Sequence, residues 1–328
     1  MQLVTSTSPA PVKRTLIAAA FLLLAVFHFT PQAAAAPAFS QLVEAAPAVE
    51  IPYAPPPGNA TVYTPAPGLN VYFLSVGQGD AVYIELPGGR NALIDGGPSR
   101  TASSPLAKFL AEKNITAIDH VVLTHPHSDH YNGLQYVFST MTVRNFYDTR
   151  VDNKGATGDD TVRNTALTLG INTIYPAAGD NLDWSAPGVE IKVFNACDKA
   201  FASSTSETLN NCSIMFKLTY RGSSILFTGD TEGETEQILA GKYGEELKAD
   251  VLKVGHHGSK YSSSDLFLGA VKPAKAYIEV GKNNYGHPTQ EALGRLLNSG
   301  AKVFRTDLDG TQEFFVAGAM EEVELPAQ

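Results

Sequence analysis

Apolar residues recur along this chain in short runs bounded by Gly, Pro, Asn and Asp. Runs such as Val71-Tyr72-Phe73-Leu74 and Ile225-Leu226-Phe227 are rich in β-branched and aromatic residues and read as strands. The pattern predicts strands over 69–76, 80–86, 91–95, 119–124, 143–148, 189–195, 213–220, 223–228, 250–254, 275–280, 302–306 and 312–317. Between them, apolar positions return every three or four residues and predict helices over 104–113, 130–139, 158–169, 231–241, 264–271 and 289–299. Strands and helices interleave, with no repeat of solenoid period, so the class is α/β. Residues 151–183 are rich in Gly, Asp, Asn and Thr and are the expected place for a segment that shapes a substrate cleft.

The first 68 residues depart from this pattern. Lys13 and Arg14 precede an apolar core over 16–27, and Ala33-Ala34-Ala35-Ala36 supplies small residues for cleavage. That is the layout of a secretory signal peptide over 1–36, and the core is too short to span a bilayer as a helix. Residues 37–68 are rich in Pro and Ala and read as a linker or arm. Residues 69–328 remain for one domain with a sizeable core. No other segment is apolar enough to cross a membrane, so the expected compartment is secreted or periplasmic. Cys197 and Cys212 are the only two cysteines, and an even pair in an exported chain suggests a disulfide. Such a loop would contribute about 3 kcal/mol.

The chain carries 24 basic and 33 acidic residues, a net charge of −9, and removal of Lys13 and Arg14 would make it more acidic still. That balance argues against broad electrostatic binding of nucleic acid. Arg144, Arg150, Lys154 and Arg163 could form a local basic groove, but a solvated helix and loop face is the plainer reading.

The densest chemistry lies at His125-Pro126-His127-Ser128-Asp129-His130, between a strand and a helix. Three of the eight histidines fall in this hexapeptide. Neutral imidazole and carboxylate suit Zn(II) and related ions. The spacing lets His125 and His127 reach one ion while Asp129 and His130 turn to a second. His120, inside the preceding strand, reads as structural.

This hexapeptide resembles the HxHxDH signature of the metallo-β-lactamase fold superfamily. Companion motifs follow in order: Leu93-Ile94-Asp95-Gly96-Gly97, Leu226-Phe227-Thr228-Gly229-Asp230 and Val254-Gly255-His256-His257-Gly258-Ser259. Val76-Gly77-Gln78-Gly79-Asp80, together with Asn284-Tyr285-Gly286-His287-Pro288, narrows the resemblance to the ComEC/Rec2 competence branch, here expected as a stand-alone hydrolase. A secreted phosphorylcholine esterase shares this layout, so the branch is chemically mixed. The resemblance implies an αββα sandwich of two mixed β-sheets flanked by helices. Every candidate ligand ends a predicted strand, and in such a fold those ends form one rim.

The resemblance implies two divalent ions, Zn(II) foremost with Mn(II) as the other candidate. His125 and His127 are expected on one ion, Asp129, His130 and His256 on the other, and Asp230 between them. Asp95 is expected to orient a ligand from behind. Many superfamily members carry a further histidine before the bridging aspartate; here that stretch reads Leu209-Asn210-Asn211-Cys212-Ser213. Water, substrate or an asparagine amide must then complete the first ion's shell, and Asn211 is expected with Asp95 behind the ligands. His257 and His287 are candidates to protonate a leaving group or hold a phosphate oxygen, and Ser259 and Lys260 to contact an anionic substrate. Two ions about 3.5–4 Å apart can hold a hydroxide and clamp a phosphoryl group. The expected activity is a phosphodiesterase on DNA or another phosphodiester. Hydrolysis of phosphorylcholine-type esters or, behind it, β-lactams, and a metal-binding sensor without turnover, stay open.

Overall fold

In the computed structural model, residues 61–65, 68–318 and 320–324 are described, with side chains over 68–318. The expected signal peptide and most of the expected arm lie outside the described residues. The first half runs β1 (Thr61–Pro65), β2 (Leu69–Phe73), β3 (Val82–Leu86), β4 (Arg90–Ile94), α1 (Pro105–Glu112), β5 (Ala117–Val122), α2 (Ser128–Thr140), β6 (Thr142–Tyr147), β7 (Val151–Asn153), α3 (Gly158–Thr168) and β8 (Asn172–Ile174). The second runs β9 (Asn181–Leu182), β10 (Val189–Asn195), β11 (Phe201–Ser203), α4 (Ser206–Asn211), β12 (Met215–Tyr220), β13 (Ser223–Phe227), α5 (Gly233–Tyr243), β14 (Val251–Lys253), α6 (Asp265–Val271), β15 (Lys275–Ile278), α7 (Gln290–Asn298), β16 (Lys302–Arg305), α8 (Thr306–Asp309), β17 (Gln312–Val316) and β18 (Met320–Glu324).

Two seven-stranded mixed sheets result, ordered β17-β2-β3-β4-β5-β6-β8 and β16-β15-β14-β13-β12-β10-β9. Alternate residues explain their stacking. On β2, Val71 and Phe73 enter a core shared with Val193, Phe216, Leu218 and Phe227 of the second sheet. Tyr72 and Leu74 face the other way, against Leu106 and Leu110 of α1 and Leu134 and Phe138 of α2. The second sheet repeats the arrangement, with Leu226 and Leu252 packed against Leu239, Phe267 and Leu296 of α5, α6 and α7. Both faces of each sheet are covered, which is why its strands read as nearly continuous apolar runs. The architecture is the expected αββα sandwich.

β4, β5, β6 and β8 run parallel, as do β13, β14, β15 and β16. Their carboxyl ends therefore lie at one edge of each sheet, where chains leaving parallel strands make ligand sites. All twelve expected strands and six expected helices are present within a few residues of their expected bounds. Thr61–Pro65, placed within the arm by its Pro and Ala neighbours, instead pairs antiparallel with β18; Thr61, Val62 and Tyr63 are strong strand formers. Residues 151–183 are more than a loop insert: α3 packs Val162 and Ala166 beneath α2, and β8 and β9 edge the two sheets.

Cys197 and Cys212 are joined, with Cα atoms 5.0 Å apart, and Cys212 packs with Leu209 and Val151. The bond ties the chain after β10 to the end of α4, the segment that walls the cleft described next.

Candidate metal centre

Close backbone approach sets the geometry. A Cβ on Gly133 of α2 would stand 1.8 Å from the Gly96 carbonyl, so this helix docks on the end of β4 only through two glycines. A Cβ on Gly79 would stand 2.3 Å from the Asp129 carbonyl, and Gly79 has φ +144°. The glycines thus bring Asp80 beside Asp129, and the Asp80 N–H donates to the Asp129 carbonyl at 3.2 Å.

Behind the ligands, Asp95 organises the histidine loop. Its carboxylate accepts from the Thr124 N–H at 2.8 Å, from Thr124 Oγ1 at 2.7 Å and from His130 Nδ1 at 2.8 Å. His257 is fixed the same way from the second sheet. Its Nδ1–H donates to the Glu279 carbonyl at 2.9 Å and lies 3.1 Å from Asp80 Oδ1. Both rings therefore present Nε2 to the centre, buried and without a hydrogen-bond partner. Asp95, His256 and His257 all have positive φ, at 58°, 45° and 51°. Residues other than glycine are seldom held there, and such conformations gather at functional sites.

The convergence is at Asp230. Its Oδ2 lies 3.7 Å from His125 Nε2, 3.3 Å from His130 Nε2, 3.5 Å from His257 Nε2 and 3.9 Å from His256 Nε2. Asp129 Oδ2 approaches His257 Nε2 at 3.3 Å, and His127 Nδ1 approaches His125 Nε2 at 2.9 Å. Among the described residues, the three-residue sets at this centre with ligand atoms close enough to share an ion are His125/His130/Asp230, Asp129/His130/His257, Asp80/Asp230/His257 and Asp80/Asp95/His130; His127 and His256 are in none of them. Buried nitrogens and carboxylate oxygens with no partner would each cost free energy in an empty site. Aimed at one another, they fit a pair of divalent cations with N/O preference.

The charges agree. Burial opposes the imidazolium form of His130, yet Asp230 and Asp95 pull it well above its ordinary range. For His257, burial is likewise outweighed by Asp230 and Asp80. Burial raises Asp230, but His257, His130, His256 and His125 hold it well below the ordinary carboxylate range. The buried carboxylates thus favour positive charge at the centre.

A second ring of buried charge supports this one. Asp80 pairs with Lys253, and the Glu279 carboxylate accepts the Ala81 N–H at 3.0 Å. Asp80 and Lys253 were visible in the sequence but carried no expected role. The motif containing Asp80 was the only signal that could have singled it out.

The remaining expected residues fall at the mouth. His256 is not in the sets that contain Asp129 and His130; His257 is. The His256 ring is 24% exposed and its Nδ1 lies 2.8 Å from Glu232 Oε1. His287 is half-buried, 5.1 Å from the His256 ring, and burial together with His256 and His257 pushes it down to about 4. Asn211 turns away, accepting the Glu232 N–H at 2.9 Å, while Asn210 reaches the cleft, 3.4 Å from His256 Nδ1. Ser259 is buried and its Oγ accepts the Tyr261 N–H at 3.2 Å, closing a turn. Lys260 lines the cleft, whose volume is about 1190 Å³.

Elsewhere, His120 is buried between Tyr147 and Trp184, as a structural histidine. Arg144 pairs with Asp119, and Arg163 with Asp148 and Asp159. These two arginines hold acidic partners, while Arg150 lies over the Tyr175 ring, 4.6 Å from its centroid.

The sequence profile described as "Metallo-beta-lactamase superfamily" matches residues 74–190 and 201–279. The chain belongs to the metallo-beta-lactamase superfamily. Its members are generally metal-dependent hydrolases, and the fold usually binds two metal ions. The chain is 32% identical over 264 residues to ComE operon protein 3 of Bacillus subtilis, covering 74% of this chain and 32% of that protein. It is 30% identical over 241 residues to competence protein ComA of Neisseria gonorrhoeae, covering 73% of this chain and 31% of that protein. The chain thus spans about a third of the length of these relatives. Among solved structures, the metallo-beta-lactamase fold protein YhfI from Bacillus subtilis aligns with a TM-score of 0.50 at 12% identity, covering 76% of this chain and all of that one. Among the described residues, no helix is long and apolar enough to cross a membrane.

Proposed function

We propose that this chain is an exported phosphodiesterase working with two divalent metal ions. The observation that carries the reading is one carboxylate oxygen, Asp230 Oδ2, with four imidazole nitrogens within 3.9 Å. His125 and His127 would hold one ion and Asp129, His130 and His257 the other, with Asp230 shared. This exchanges His256 for His257 relative to the sequence expectation, because His257 Nε2 is buried 3.3 Å from Asp129 and 3.5 Å from Asp230, whereas the His256 ring is part-exposed with Nε2 3.9 Å from Asp230. Two such ions would supply Lewis acidity to a phosphoryl group. Zn(II) and Mn(II) both suit the donor set.

The chain's own residues do the rest. Asp95 and the Glu279 carbonyl set the ring orientation of His130 and His257. His256, paired with Glu232 and open to the cleft, is placed to pass a proton to a leaving oxygen. His287, held neutral at pH 7, can hydrogen-bond a phosphoryl oxygen. Export is supported by the apolar leader in the sequence and by the Cys197–Cys212 bond, which suits an oxidising compartment.

The test is a panel of substrates offered to the metal-reconstituted protein: single- and double-stranded DNA, bis-p-nitrophenyl phosphate, p-nitrophenyl phosphorylcholine and nitrocefin. Turnover of phosphodiesters that is abolished by chelator and restored by Mn(II) or Zn(II) is expected. Turnover of nitrocefin with none of any phosphodiester would overturn the reading.

A further inference from the structure

We propose that Tyr285 and Tyr261 form a base-stacking subsite at the mouth of the metal cleft, so that the substrate is a nucleotidyl phosphodiester offering an unpaired base. This rests on the phosphodiesterase reading above. Both rings line the cleft, yet they are 75% and 62% exposed. Large aromatic side chains left in water forgo the gain of burial, which makes a held pair informative; Tyr261 carries Lys260 Nζ over one face, 4.9 Å from the ring centroid.

They are held. The Tyr261 carbonyl accepts the Gly233 N–H at 2.6 Å. Arg295 donates to the Lys260, Ser262 and Ser263 carbonyls, each at 2.8 Å. The Glu236 carboxylate accepts the Ser263 and Ser264 N–H groups at 2.6 and 2.7 Å. Around Tyr285, the Asn283 side chain accepts the Tyr285 and His287 N–H groups at 3.0 and 3.1 Å and donates to the Gly281 and His287 carbonyls at 2.8 Å. Neither ring rides on a slack loop.

Ring follows ring from the mouth inward. Tyr285 lies 5.8 Å from His287, His287 5.1 Å from His256, and His256 6.0 Å from His257. A base on Tyr285 would set its phosphate in the direction of the ligands. Charge narrows the substrate further. Among the described residues, Lys260 is the only lysine or arginine lining the cleft, against Glu207, Glu232 and Glu291 in addition to the central aspartates. Such a cleft cannot track a long phosphate backbone, so grip must come from stacking, which is worth about 5- to 150-fold in affinity per base.

The experiment compares two esters with one leaving group, thymidine 5′-(p-nitrophenyl phosphate) and methyl p-nitrophenyl phosphate, on the metal-reconstituted full chain. The native protein is expected to show the lower KM for the thymidine ester. In Tyr285→Ala, and less so in Tyr261→Ala, the ratio of the two KM values should collapse toward one, a change of about 5- to 150-fold. Tyr285→Phe should keep the native ratio, because the ring and not the hydroxyl stacks. Fluorescence anisotropy gives an independent readout. A labelled pentathymidylate should bind more tightly than its abasic counterpart, lose that advantage in Tyr285→Ala, and show a salt slope of about −1 or shallower. Equal binding of the two oligomers, or an unchanged KM ratio in both alanine variants, overturns the subsite. If the native protein turns over neither ester, the phosphodiesterase reading fails and the anisotropy arm alone decides the subsite.

Discussion

His256 and His257 are consecutive residues that belong to different regions of one site. His257 sits on a buried floor, 2% exposed, with one nitrogen fixed by the Glu279 carbonyl and the other aimed at Asp129 and Asp230. His256 stands on an open rim, paired with Glu232 and facing the cleft. The floor is over-determined by buried polar contacts, and every donor there has one possible direction. The rim is positioned but open, and its groups can meet something from solution. Two successive left-handed residues make the split possible, since they turn neighbouring side chains to different sides.

The contrast is broken most severely at Asp230. Asp230→Ala should remove metal and lower phosphodiester turnover about 10⁴-fold or more, the scale seen when one member of a catalytic unit is lost. Retention of metal by this variant, measured by elemental analysis, would remove Asp230 from the centre.

Lys253 tests whether the floor is held by its buried ion pair. Lys253→Met leaves Asp80 charged inside the protein without its lysine, facing only His257 and His130, and breaking a buried pair in this way costs about 3–5 kcal/mol. Urea denaturation should show that loss. No comparable loss is expected for His287→Ala on the rim, and equal losses would erase the distinction between the regions.

How much of this was legible follows from the same contrast. Floor residues His125, Asp95 and Asp230 follow strands buried on both faces and His130 lies in the first turn of α2, so apolar runs and punctuating glycines reveal them in the sequence. β8, β9 and β11 have only two or three residues; no periodicity exists over such lengths. Asp80 could be seen but not interpreted, because its partners Lys253 and His257 lie far along the chain. The directions of His256 and His257, and of Asn210 and Asn211, differ between neighbouring residues. They are set by φ and by hydrogen bonds from Glu232, neither of which spacing records.

The wall of the cleft gives a smaller effect. Removing the Cys197–Cys212 bond should cost about 3 kcal/mol by the chain-entropy estimate. Denaturation with and without reductant measures it, and equal midpoints would show that the bond adds nothing.

The smallest effect concerns the clamp beneath the rim. Burial raises the Glu236 carboxyl to about 7, against the downward pull of the Ser264 and Ser263 N–H groups and Arg295. The folded chain therefore binds this proton more tightly than the unfolded one. The stabilisation is fully present below about 4.5 and is lost as the pH rises through about 7. The stability of the native protein relative to Glu236→Gln should fall by about 1–3 kcal/mol across that window. A difference that stays flat or rises with pH would contradict the assignment.

The central claim, a two-ion floor built on His257 with His256 on the rim, is tested most directly by metal content. Native protein, His256→Ala and His257→Ala would be reconstituted side by side and their Zn and Mn measured after removal of free ion. The account predicts up to two equivalents in the native chain and in His256→Ala, whose turnover nevertheless falls about 10²–10⁴-fold, and loss of at least one equivalent in His257→Ala. Loss of metal from His256→Ala with full retention in His257→Ala would contradict it.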